Sequence, residues 1–107
     1  MARLVNWKSL PLITIAAANT PQKLTATSIL TSDFQIQPSA TNGGASICIG
    51  DSTISATNGI LLLKGSISSF TVGSGSPTLD HAVDLSTWYV VSDTQNDTIR
   101  VQYRDLV

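Results

Sequence analysis

Glutamate is missing from this sequence, and with it much of the charge that a folded domain usually carries. Of its 107 residues only 12% are charged: seven acids, all aspartate, against six lysines and arginines. That is about half the usual charged share. The net charge of −1 and the lack of any basic cluster with interleaved aromatics leave no electrostatic footprint for a phosphate backbone, so no nucleic-acid partner is expected. A single cysteine, Cys48, excludes an internal disulfide, and one cysteine with one histidine excludes a zinc site built within one chain. No apolar run approaches the ~20 residues that a bilayer-spanning helix needs, so no membrane partner is expected. The start imitates a signal peptide, with Arg3 and Lys8 ahead of the apolar residues 10–15 and then Ala16, Ala17 and Ala18. Pro11 and Thr14 interrupt that short core, so cleavage and secretion are not expected.

What the chain has in abundance is serine and threonine, with Asn-Gly, Gly-Asp and Pro-containing turn signals between short apolar runs. Poor in good helix formers and rich in strand and turn formers, it reads as all-β. Its length is that of one domain, able to bury ~65% of its unfolded surface in a single core. Turn signals spaced about eight to twelve residues apart, with no repeating period, predict a small antiparallel β-sandwich or barrel. Strands are expected at residues 12–17, 23–30, 34–37 (Phe34 and Ile36 inward), 67–72 (Phe70 and Val72 on one face), 88–92 and 98–104. The last two read as a hairpin closed by the polar loop 93–97, with Ile99, Val101 and Tyr103 on the buried face. Residues 79–84, which hold His81, read as a loop or a turn of helix. The division expected is an extended arm over residues 1–10 and a sandwich or barrel over 11–107.

The most informative stretch is residues 46–63. It opens as a strand with Ile47 and Ile49 on one face and Ser46, Cys48 and Gly50 on the other. Gly50-Asp51 then turns the chain, Asn58-Gly59 turns it again, and residues 60–63 form an apolar run suited to a strand buried on both sides. A strand ending in Gly-Asp, a Ser/Thr-rich connection, then Thr-Asn-Gly-Ile and a Leu-rich strand resembles small all-β virion proteins encoded by tailed bacteriophages. Two further features carry the same resemblance. One is Leu-Thr-Ala-Thr-Ser at residues 24–28; the other is the closing pattern Leu-Ser-x-x-Tyr-Val-x-Ser at 85–92 with Ile-x-Val-x-Tyr at 99–103. The similarity spans roughly residues 20–103, and its motifs are structural. It implies a capsid decoration (cement) protein on the outside of the virion, a homotrimer bridging neighbouring copies of the major capsid protein. A tail, baseplate or fibre component is the alternative within the same class.

Residues that carry chemistry elsewhere have plainer explanations here. His81 stands beside Asp80 and near Asp84 and Ser86, company that a Ser/Thr-rich chain supplies by chance, and no Gly-x-Ser-x-Gly elbow accompanies it. Asp33, Asp51, Asp93 and Asp97 sit at turns, where aspartate bonds its own backbone, so paired carboxylates for glycoside cleavage are not expected. Residues 93–97 offer oxygens to a calcium ion but lack the ligand count of a full loop. Cys48 reads as a small buried hydrophobe. No enzyme, metal or cofactor is therefore expected. Trp88 and Tyr89 are adjacent and so point to opposite faces of a strand, one to the core and the other exposed or at an interface. If both were exposed they would suit a carbohydrate-binding module.

The arm supplies the expected partner-binding residues: Leu4, Val5, Trp7 and Leu10. Residues 2–10 have no period strong enough to fold alone, and chain ends fray unless tied down, so a partner surface is expected to order them. Buried aromatics carry interface energy disproportionately, which makes Trp7 the natural anchor. The alternative is that Trp7 folds back on its own domain.

Overall fold

The computed structural model describes residues 6–44, 46–55, 57–71 and 82–105. Eleven strands lie among them: β1 (Asn6–Ser9), β2 (Ile13–Thr14), β3 (Gln22–Lys23), β4 (Leu30–Thr31), β5 (Asp33–Pro38), β6 (Ile47–Gly50), β7 (Ile60–Leu62), β8 (Ser68–Thr71), β9 (Val83–Asp84), β10 (Tyr89–Ser92) and β11 (Thr98–Asp105). A 3-10 turn, Leu85–Thr87, separates β9 from β10. All the pairings are antiparallel.

Two sheets face each other. The first runs β1-β11-β5-β8, with β2 also on β11; the second runs β3-β10-β6-β7. Strand alternation sets what lies between them. Phe34 and Ile36 from β5, Ile99, Val101 and Tyr103 from β11, Ile47 and Ile49 from β6, Val90 from β10 and Leu62 from β7 form one buried cluster. Their neighbours Gln35, Gln37, Arg100 and Gln102 point to the other side of the first sheet. The expected all-β sandwich is the architecture observed. β4 and β9 make a separate two-stranded ribbon.

Residues 6–14 form one run along β11, broken once. Between the pairs Ser9–Gln102 and Ile13–Ile99, three residues on this run oppose two on β11. The extra residue falls at Pro11, which has no N–H for the ladder, and the run bulges there. Leu10 still donates its N–H to the Val101 carbonyl at 3.0 Å.

The expected hairpin of residues 88–92 with 98–104 does not form. β10 pairs with β3 and β6 in the second sheet, while β11 lies in the first, so loop 93–97 crosses between sheets. The cause is where the loop's polar groups go. Asn96 donates its N–H to the Ile15 carbonyl at 2.9 Å, and the Asp97 carbonyl accepts from the Ile15 N–H at 2.8 Å. The Asp97 carboxylate, only 4% exposed, accepts from the Gly43 and Gly44 N–H groups, each at 3.0 Å, and from the Ser92 hydroxyl at 2.8 Å. Asn42 adds a side-chain mimic of strand pairing, donating to the Thr98 carbonyl and accepting from its N–H, both at 2.9 Å.

Two other expectations need correction. The run at residues 60–63 is not buried on both sides: among the described residues β7 ends its sheet, Leu62 alone of the run enters the core, and Ile60, Leu61 and Leu63 are exposed. Apolar periodicity cannot tell a central strand from an end strand. The strand expected over 23–30 survives only at its two ends, because the Thr25 hydroxyl accepts the Thr27 N–H and turns the chain locally.

Candidate docking faces

The outer face of the first sheet is built from the residues that alternate away from the core. Cross-strand register sets Trp7 beside Arg104, Ser9 beside Gln102, Gln102 beside Gln35 and Arg100 beside Gln37. This face holds a groove of about 420 Å³, with the amides of Gln35, Gln37 and Gln102 and the Arg100 side chain along it and Leu10, Leu12 and Ile67 at its sides. The Gln37 amide is tied to the Gly65 carbonyl at 3.0 Å, which helps to fix that wall. Arg100 has no acidic partner among the described residues; the two ion pairs there are Lys8–Asp105 at 3.0 Å and Arg104–Asp33 at 3.1 Å.

Of the expected arm residues, Leu4 and Val5 lie outside the described residues. Trp7 lies in β1, paired with Arg104 on its own domain, and its ring sits 5.6 Å from the Arg104 guanidinium carbon. It remains 43% exposed. The strand thus fixes Trp7 on its own domain yet leaves much of the ring open beside an arginine. Leu10 is half-buried, packing on the main core while also lining the groove. Trp7, opposite Arg104, faces outward, whereas Leu10, opposite Val101, packs inward and borders the groove, so the sheet reaches back into residues 6–9 of the expected arm.

A second exposed apolar group lies on β7 and just after it, at Ile60, Leu61 and Leu63. Trp88 and Tyr89 do take opposite faces. Trp88 is half-buried against Phe34 (ring centroids 5.0 Å) and Phe70 (5.6 Å) in the main core. Tyr89 packs on a satellite cluster of Cys48, Ile54 and Val91 on the outside of the second sheet. Neither ring stands clear as a flat platform for a sugar.

The titratable groups have structural work. Asp84 accepts from the Ser28 hydroxyl at 2.6 Å, the Ile29 N–H at 3.2 Å, and the N–H and hydroxyl of Ser86 at 2.9 and 2.8 Å. These bonds, the Ser28 hydroxyl's first, hold its carboxyl at about 2. It caps the 3-10 turn and ties that turn to β4. Asp51 accepts from Thr53 at 2.6 and 2.9 Å, which lowers its pKa and shapes the turn after β6. Burial pushes the Cys48 thiol up. His81 and Asp80 lie outside the described residues. Among those described, no group of three or more His, Cys, Asp or Glu is placed to hold a metal ion. Sequence reasoning missed the Asp97 cluster, whose one written signal is Gly43-Gly44 lying far along the chain from an aspartate read as a loop tip.

Comparisons with protein-family models, with curated proteins and with solved structures found no match to this chain.

Proposed function

We propose that this chain is a structural protein of a tailed-bacteriophage virion, a capsid decoration protein that sits on the outer shell and bridges neighbouring copies of the major capsid protein. The observation that carries the reading is the placing of apolar surface on a small, sparsely charged sandwich. Seven large apolar side chains are exposed among the described residues, and six of them fall on two areas: Trp7 and Leu12 with Ile67 by the first sheet's outer face, and Ile60, Leu61 and Leu63 at β7. Grouped apolar surface of this kind marks contact with other macromolecules. The resemblance in residues 20–103 supplies the class of partner.

The mechanism is mechanical. A standard interface buries ~800 Å² on each partner, a modest share of this chain's 5934 Å². Repeated over many lattice positions, contacts of that size resist outward pressure without any single tight site. Trp7, Leu10 and the groove are the surface assigned to the shell, and Leu4 and Val5 are proposed as further contacts.

Immunogold labelling of purified particles tests the reading: label over the whole shell supports it. Label confined to one end of the particle shows a tail or fibre component instead, and no label removes the virion role. On labelled particles, deletion of residues 1–9 is expected to abolish occupancy while circular dichroism still reports a folded sandwich.

A further inference from the structure

β7 is an end strand with one edge paired to β6 and, among the described residues, no strand on the other. Natural end strands are blunted by lysine, proline, a bulge or an inward charge. Ile60–Leu62 has none of these, and only its length of three residues limits the edge. It also carries exposed apolar side chains: Leu61, opposite Cys48, faces outward and is 56% exposed, Ile60, opposite Ile49, lies on the core side of the edge and is 53% exposed, and Leu63, just past the strand, is 64% exposed. Together these side chains leave roughly 300 Å² of apolar surface open along the strand's edge.

We propose that β7 pairs antiparallel with β7 of a second copy of this chain, about a two-fold axis through Leu61, joining the two second sheets edge to edge. Three observations select a second copy as the occupant. Residues 59–63 carry no charge, so a two-fold brings no like charges together. The adjoining Lys64 is turned back onto its own domain, its ammonium 3.0 Å from the Asn42 carbonyl. Full overlap of the three-residue strand with itself sets Leu61 against Leu61 and Ile60 against Leu62, aliphatic pairs throughout, which an antiparallel ladder favours. Two such edges bury roughly 600 Å² in total, about half the ~1,200 Å² of the smallest stable complexes. The pair is therefore weak in dilute solution and fills where copies are crowded, as on a lattice.

The inference deepens the proposed function by giving the self-contact an address, and it rests on that reading only in taking copies of the chain as partners. It is tested on the purified chain without particles, so its failure is distinct from a failure of the virion role. A two-fold pair also differs from the threefold group that the resemblance implies. Sedimentation velocity from roughly 10 µM to roughly 1 mM is expected to show a monomer passing to a dimer as concentration rises. Leu61→Lys, an exposed position, is expected to stay monomeric throughout with an unchanged circular dichroism spectrum.

Cysteine substitution reads the register independently of affinity. On the axis, the two Leu61 Cα atoms lie roughly 4.5–5.5 Å apart, within disulfide range. The two Leu63 positions lie roughly 14 Å apart. In a Cys48→Ala background, which removes the thiol directly opposite residue 61 across the β6–β7 ladder, mild oxidation of Leu61→Cys is expected to give a covalent dimer at least tenfold faster than Leu63→Cys, while the cysteine-free parent gives none. The proposal is overturned by a wild type that stays monomeric to the top of the concentration range. A dimer that survives Leu61→Lys, a trimer, or equal cross-linking at both positions overturns it as well.

Discussion

Replacing Asp97 by alanine removes the acceptor that three groups share. The Gly44 N–H and the Ser92 O–H are buried donors that lose their acceptor, although the Ser92 oxygen keeps the Thr94 N–H at 3.1 Å, whereas the exposed Gly43 can turn to water. A buried donor left unsatisfied costs ~1–3 kcal/mol, and bonds to a charged acceptor lie toward the upper part of that range. Two such donors set the loss at roughly 2–5 kcal/mol, a large share of the 5–15 kcal/mol that holds a typical domain folded. In a chain of about this size that lowers Tm by roughly 10–30 °C. Urea unfolding followed by tryptophan fluorescence measures it, because half-buried Trp88 reports on the core. The midpoint should fall with little change in slope. Asp93→Ala is the comparison: among the described residues its carboxylate accepts from one group, the Thr94 hydroxyl at 3.1 Å, and its loss should cost less than that of Asp97. If Asp97→Ala costs less than ~1 kcal/mol, or no more than Asp93→Ala, the carboxylate does not hold the crossing between sheets.

Gly44→Ala should destabilise by a comparable amount, since its new Cβ would collide with the Asp97 carboxylate and lie 2.7 Å from the Ser92 hydroxyl; thermal melts of Gly44→Ala beside the exposed Gly43→Ala check this. Asp84, held at about 2 against 3.8 unfolded, gives the unfolded chain the greater proton uptake between those values. Its stabilisation is complete above about pH 4 and is lost as pH falls toward about 2, so the gap between wild type and Asp84→Asn in urea midpoint should close on acidification. Trp7→Ala should leave the melting temperature within a few degrees, because the ring is 43% exposed, while lowering particle occupancy in a binding assay.

The fold was legible where alternation was strict. In β5 and β11 every second residue is apolar, and the register carries Phe34, Ile36, Ile99, Val101 and Tyr103 into one core. The turns at Gly50-Asp51 and Asn58-Gly59 were equally plain, the second because Gly59 takes φ +129°, which side chains other than glycine's rarely adopt. What the residues did not disclose is which sheet each strand joins. A five-residue polar loop between two strands reads as a hairpin, and only the distant Gly43-Gly44 and Ile15 backbone groups send it across instead. Residues 60–63 are ambiguous for a related reason: whether an apolar run is covered depends on what is stacked beside it, a non-local fact. The site was legible in part. Trp7 stood out as an isolated aromatic near the start, whereas the groove's glutamines are ordinary outward positions until register sets Gln35, Gln37 and Gln102 side by side.

The central claim is that this chain acts by adhering to a shell. A cryo-electron microscopy map of purified particles, compared with particles from which the chain has been removed, tests it most directly. The account predicts added density of sandwich size at repeated positions over the joints between capsid subunits, with the Trp7 face turned to the shell. Identical maps, or a difference confined to the tail, would contradict it.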